Sequence, residues 1–127
     1  MKFEVIQTDQ APAAIGPYSQ AMCAGPLLFI SGQLGLDPQT GELIDPDFEL
    51  QAKQSMENLG QIILAAGCTV TQVASVEVFL SNMSNFSKFN KIYSEFFGDH
   101  KPARAVVEVS GLPKFASIEI KCTLYRG

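Results

Sequence analysis

The chain has 127 residues, 46% of them apolar and 17% charged, with nine Lys and Arg against thirteen Asp and Glu for a formal charge of −4. That length predicts one domain spanning 1–127, and the balance of apolar and charged residues excludes disorder or a fibrous repeat. The net negative charge opposes a polyanion, so non-specific nucleic-acid binding is disfavoured.

The first predicted strand is Phe3 to Gln7, followed by a loop rich in Ala and Pro from Gln10 to Pro17. Two strand-like runs, Ser19 to Ala24 and Leu27 to Gln33, flank Gly25-Pro26 and predict a hairpin. Asp37-Pro38-Gln39-Thr40-Gly41 reads as a turn opening an acidic surface loop. From Phe48 the period changes: Phe48, Ala52, Met56, Leu59, Ile63 and Ala66 line one helical face, with Asp47 to cap its start and Gly67 to close its end. Ala74 to Leu80 returns to strand spacing, with Val76, Val78 and Leu80 alternating against Ser75, Glu77 and Phe79. A second helix carries the stripe Phe86, Phe89, Ile92, Tyr93 and Phe96, with Ser84 as candidate cap and Gly98 as stop.

Two strands close the chain, Ala103 to Val109 and Ser117 to Tyr125. In the first, Ala103, Ala105, Val107 and Val109 share one face and Arg104, Val106 and Glu108 the other; in the second, Ile118, Ile120, Cys122 and Leu124 oppose Ser117, Glu119, Lys121 and Thr123. If the apolar rows rest on the helices, Arg104 and Glu119 project together from the opposite face. The element order predicts an α+β sandwich with both helices on one face of the sheet. The uncovered face, carrying Val106 and other apolar side chains, is expected to form a subunit interface.

No apolar run approaches the roughly 20 residues of a membrane-spanning helix. Lys2 leads directly into Phe3-Glu4 without a signal core, so a soluble, cytoplasmic protein is expected. Cys23, Cys68 and Cys122 are odd in number and widely spaced, as expected of small buried thiols. His100 is the only histidine, leaving little material for a Ser-His-Asp triad or a histidine metal cluster, and no phosphate-cradling glycine motif is present.

Several residues could carry chemistry. Arg104 is costly among small and β-branched neighbours unless it meets an anion: a ligand carboxylate suits its planar fork, and an ion pair with Glu108 or Glu119 is the structural alternative. Glu119, flanked by Ile118 and Ile120, is either a general base or a solvated strand residue. Tyr18 could offer a hydroxyl at a pocket rim or simply pack. Ser31-Gly32-Gln33 ends a strand where Gly32 would let a ligand approach the main chain, or is only a turn. Asn90 lies on the polar side of the second helix, where most side chains merely face solvent.

These residues carry a resemblance to the RidA (YjgF) family of reactive intermediate deaminases. Its signature reads here as Pro102-Ala103-Arg104-Ala105-Val106-Val107-Glu108-Val109, Leu112-Pro113 and Ile118-Glu119-Ile120. Similar segments are Ala14-Ile15-Gly16-Pro17-Tyr18-Ser19-Gln20, Phe29-Ile30-Ser31-Gly32-Gln33, Asn58-Leu59 and Val78-Phe79-Leu80, so nearly the whole chain is covered.

The resemblance implies a chorismate-mutase-like α+β fold, a homotrimer with clefts at subunit boundaries, and cofactor-independent hydrolysis of 2-imino acids or enamines such as 2-iminobutanoate and 2-iminopropanoate. In that reading Arg104 clamps the substrate carboxylate and Glu119 activates water, while Tyr18, Ser31, Gly32, Asn90 and the main chain at Val106 line the pocket. Val106 stands where several relatives have cysteine. Some relatives are described as ribonucleases or translation inhibitors, others as chaperones or small-ligand binders, so the fold alone does not choose the activity. The charge and the single histidine disfavour a ribonuclease, with Lys88, Lys91 and Lys101 as the one local basic patch.

Overall fold

Periodicity, caps and turns place the elements of the computed structural model, which describes residues 3–127. In chain order they are β1 (Phe3–Ile6), β2 (Ala21–Ala24), β3 (Leu27–Leu34), α1 (Phe48–Ala65), β4 (Val73–Leu80), α2 (Phe86–Phe97), β5 (Ala103–Glu108) and β6 (Ile118–Tyr125). The six strands form one mixed sheet in the order β1-β2-β3-β6-β4-β5, in which only β4 and β5 run parallel. This is the α+β arrangement expected, because α2 supplies the crossover that a parallel pair requires.

The inner face of the sheet and the apolar stripes of both helices bury one another in one cluster. Ile118, Ile120, Cys122 and Leu124 of β6 and Val76, Val78 and Leu80 of β4 are all buried, as their alternation predicts. Each fully buried Leu or Ile contributes about 1.5–3 kcal/mol. On α2 the buried residues are Phe89, Ile92, Tyr93 and Phe97, and the expected Phe96 is partly buried and packs against the same core, so Phe97 adds to the stripe. No helix among the described residues is long and apolar enough to cross a membrane.

Capping explains the helix ends. Asp47 accepts a hydrogen bond from the Leu50 amide at 3.1 Å, and Gly67, at φ 74, donates to the Leu64 carbonyl beyond the end of α1. At α2 the expected cap Ser84 is corrected. Asn82 accepts from the Ser84 amide at 2.9 Å and starts a short 3-10 turn, Met83–Asn85, that runs into the helix. An Asn two residues earlier caps the turn at one amide, so Ser84 is left inside the turn, and Asn85 ahead of α2 makes no side-chain cap.

A second correction bears on the site. The parallel register pairs Val76 with Arg104, Val78 with Val106 and Leu80 with Glu108, which puts Arg104, Val106 and Glu108 on the helix side. Val106 packs against the core while Ala103, Ala105 and Val107 are exposed, the reverse of the expected assignment. Both rows of β5 contain apolar residues, so alternation separates them without saying which turns inward. At this sheet edge the aromatic side chains of α2 flank the exposed arginine.

Candidate active site

Glu119 projects from the outer row of β6 opposite Phe79 and Leu34. Its neighbour β3 carries a bulge: between Ile30, paired with Cys122, and Gln33, paired with Ile120, two residues of β3 face one of β6. The bulge takes Ser31 and Gly32 out of the ladder and brings the Gly32 backbone beneath the Glu119 carboxylate. A Cβ on Gly32 would overlap the carboxylate, with Cδ of Glu119 only 2.7 Å away. Gly32 is therefore needed to seat Glu119, a role distinct from the ligand approach expected of it.

Glu119 is half-buried, and burial raises its pKa from the ordinary carboxylate value, partly opposed by the Lys121 ammonium. Lys121 also lies 3.7 Å from Glu77. Among the described residues no side chain or main-chain donor is hydrogen-bonded to the Glu119 carboxylate, so its oxygens are open to a water or a ligand. Tyr18, Ser31 and Gly32 line the same cleft of about 960 Å³, with Phe79 as an apolar wall and Pro113 and Lys114 at another side. Ser31 donates its hydroxyl to the Ser19 carbonyl at 2.6 Å, which ties the loop bearing Tyr18 to the bulge.

Arg104 occupies a second pocket of about 570 Å³ with Asn90, Tyr93 and Lys101. Its Nη1 donates to Asn90 Oδ1 at 2.7 Å, and Cζ lies 4.7 Å from the Tyr93 ring centroid, 5.6 Å from that of Phe86 and 5.9 Å from that of Phe89. The ring faces attract the cation, which stays exposed, and leave its remaining donors open. The ion-pair alternative is not what the structure contains: Glu108 accepts from the Met83 amide at 2.7 Å, and Glu119 lies across the sheet. Among the described residues, no carboxylate forms a salt bridge with Arg104.

The expected site residues thus fall into two groups. Glu119, Tyr18, Ser31 and Gly32 meet on the outer face, whereas Arg104 and Asn90 meet at the helix side of edge strand β5, with Val106 next along that row. Strand β4 separates β6 from β5, and the two key side chains leave opposite faces. One chain does not bring them to a common point. The expectation that Arg104 and Glu119 project from the same face is overturned.

His100 anchors the segment after α2, its Nε2 lying 2.7 Å from the Val73 carbonyl oxygen. Cys23, Cys68 and Cys122 are free and buried, and burial pushes the Cys122 thiol up to about 12. Such a thiol is unreactive. The buried amides Gln20, Gln33, Gln51 and Asn58 are supports that the sequence reading did not single out. Gln51 accepts from the Ser117 amide at 2.8 Å, just ahead of β6, and Asn58 donates to the carbonyls of Leu34 and Leu36 at 3.1 and 3.0 Å. For Gln51 and Asn58 a signal was present, since residues 51, 55 and 58 follow helical spacing beside the apolar stripe of α1.

Residues 8–125 match the family profile described as Endoribonuclease L-PSP. A RutC family protein of Pyrococcus horikoshii is 50% identical, the match covering 97% of this chain and 98% of that protein. The human protein named 2-iminobutanoate/2-iminopropanoate deaminase is 43% identical over 97% of this chain and 90% of its own. The crystal structure of RidA from an Antarctic Psychrobacter superposes with a TM-score of 0.92 at 44% identity, covering 96% of this chain and 98% of that one. With the profile spanning nearly all its residues and full-length relatives at this identity, the chain belongs to the endoribonuclease L-PSP family, that of the RidA and YjgF proteins.

Proposed function

We propose that the protein is a homotrimeric deaminase, one catalytic domain per chain, that hydrolyses 2-imino acids such as 2-iminobutanoate and 2-iminopropanoate to 2-keto acids and ammonia. The observation that carries this reading is the division of the site: an unpaired carboxylate of raised pKa on one sheet face, and an open guanidinium on the other face beside a sheet edge. Each cleft combines Glu119, Tyr18, Ser31 and Gly32 of one subunit with Arg104, Asn90 and the main chain at Val106 of the next. A relative of 43% identity named as this deaminase supports the substrate class.

The chemistry follows from the groups. Arg104 binds the carboxylate adjacent to C=N with two parallel N–H donors, holding the imine carbon still. Glu119 takes a proton from water as its oxygen attacks that carbon, giving a tetrahedral carbinolamine. Glu119 returns that proton to nitrogen to complete the amine, then relays the carbinolamine hydroxyl proton to the same nitrogen as the C–N bond breaks, so ammonia departs and the oxygen becomes the C=O of the 2-keto acid. RNA cleavage is the rival reading, favoured by Lys91 and Lys101 beside Arg104. It lacks an acid–base pair within either half of the site, and His100 is committed to the main chain.

Mixing inactive variants tests the assignment. Arg104→Ala and Glu119→Gln chains, co-refolded in equal amounts, should assort into trimers of which about three-quarters are mixed, each with one cleft bearing both wild-type halves. Deaminase activity should return to about a quarter of wild type. No recovery, or a monomer mass by light scattering, overturns the shared cleft. RNA cleavage without imine hydrolysis overturns the deaminase.

Gly32→Ala provides a separate check on the seat of Glu119. The new methyl group displaces the carboxylate, so turnover should fall by about 10-fold or more while trimer mass is kept. Wild-type turnover in this variant would show that the observed Glu119 position is not needed for the reaction.

A further inference from the structure

The loop between β1 and β2 carries Tyr18 and Ile15 over the Glu119 cleft, yet its tip is exposed: Ile15 is 82% accessible and Tyr18 55%. Something other than its own packing must hold it. Gln20, at the exit of the loop, is only 3% accessible. Its Oε1 accepts from the Thr8 amide at 2.7 Å, and its Nε2 donates to the carbonyls of Thr8 at 3.0 Å and Pro12 at 2.8 Å, with Ala11 O at a weaker 3.4 Å. One neutral side chain thus satisfies the main chain at the entrance of the loop from the position where the loop ends.

The same residue reaches the bulge through its backbone. Its carbonyl accepts from the Ser31 amide at 3.0 Å, beside the Ser31 hydroxyl bond to Ser19 O. Gln20 therefore joins the strand bulge that seats Glu119 to the neck of the loop bearing Tyr18. At the tip, Gly16 adopts φ 127, and the Tyr18 ring lies 3.6 Å from where a Cβ on Gly16 would stand, so the ring folds back on the backbone. Without the clasp at the neck, a substrate would have to order this loop as it binds, and that ordering entropy would be charged to affinity.

We infer that Gln20 is a positioning residue that holds the Tyr18 loop closed over the Glu119 cleft before substrate arrives. The inference rests on the reading of that cleft as the substrate site. Gln20→Met keeps length and burial but removes every side-chain hydrogen bond. Gln20→Glu keeps the acceptor for Thr8 and sets an oxygen against the Thr8 and Pro12 carbonyls until it is protonated.

The experiment compares amide hydrogen exchange over residues 8–19 with KM and kcat for 2-iminobutanoate, and with Kd for 2-oxobutanoate. For Gln20→Met, loop exchange should quicken about 10-fold, KM and Kd should rise about 10-fold, and kcat should stay within about threefold. For Gln20→Glu, the loss relative to wild type should shrink as pH falls from about 8 to about 5, as protonation restores a donor; the Met variant should show no such recovery. Unchanged loop exchange overturns the clasp, as does a lowered melting temperature with unchanged KM and Kd. Wild-type protein that fails to hydrolyse the imine overturns the deaminase reading instead, and the exchange and Kd comparisons still decide the role of Gln20.

Discussion

Glu119→Gln should lower turnover by roughly 100-fold or more and leave 2-oxobutanoate binding intact, because the amide preserves shape and hydrogen bonding but cannot accept the proton of water. The rate of spontaneous imine hydrolysis must be subtracted. Among the described residues the carboxylate has no hydrogen-bond partner to lose, and burial is what raises its pKa. Its folded form therefore binds a proton more readily than its unfolded form. Stability falls as pH rises through the window from the ordinary carboxylate value up to the raised one, and stays lower above it. The variant lacks this titration, so its melting temperature at neutral pH should equal or exceed that of wild type, and the stability that wild type gains by protonating Glu119 on acidification should be missing. In wild type, kcat/KM should rise with pH as Glu119 deprotonates, with its inflection above the ordinary carboxylate value. Unchanged turnover in the variant would exclude Glu119 as the base.

The second large effect is at Arg104. Loss of a charge-assisted, two-point contact with the substrate carboxylate should cost about 2 to 4 kcal/mol of transition-state stabilisation, or roughly 30-fold to 1000-fold in kcat/KM. Arg104→Lys keeps the charge and loses the planar fork, so it should retain more activity than Arg104→Ala. Folding should lose no more than about 1–3 kcal/mol, because among the described residues no carboxylate pairs with Arg104 and its contacts with the Tyr93, Phe86 and Phe89 rings are worth about 0.5–1 kcal/mol each at an exposed site. A folded, trimeric Arg104→Ala protein with wild-type kcat/KM would remove this residue from the site, whereas a large drop in melting temperature would restore a structural role.

Much of the scaffold was legible because it rests on local periodicity. The stripe Phe48, Ala52, Met56, Leu59 and Ile63 lies within α1, and the alternation of β4 and β6 assigns their buried rows correctly. Gly25 turns the β2–β3 hairpin at φ 58, as the Gly25-Pro26 pair predicts. Arg104 and Glu119 stood out by residue type, since a charge flanked by apolar strand residues requires either a partner or a use. Gln20 was harder to read, because it looks like a solvated loop residue until the Thr8 main-chain groups it satisfies, 12 residues away, are known.

By itself the sequence determined the number, type and order of the elements, the α+β class, the buried rows of the central strands and the two charged residues of interest. Only the tertiary structure decided which row of β5 turns inward, because both contain apolar side chains and the choice belongs to register with β4 and to the aromatic side chains of α2. Only the tertiary structure placed the bulge at Ser31 and Gly32, since a bulge is a mismatch between two strands and neither strand encodes it alone. The separation of Arg104 from Glu119 follows from both: alternation along a strand is local, but the face it presents and the neighbour it meets are set by pairing across the sheet.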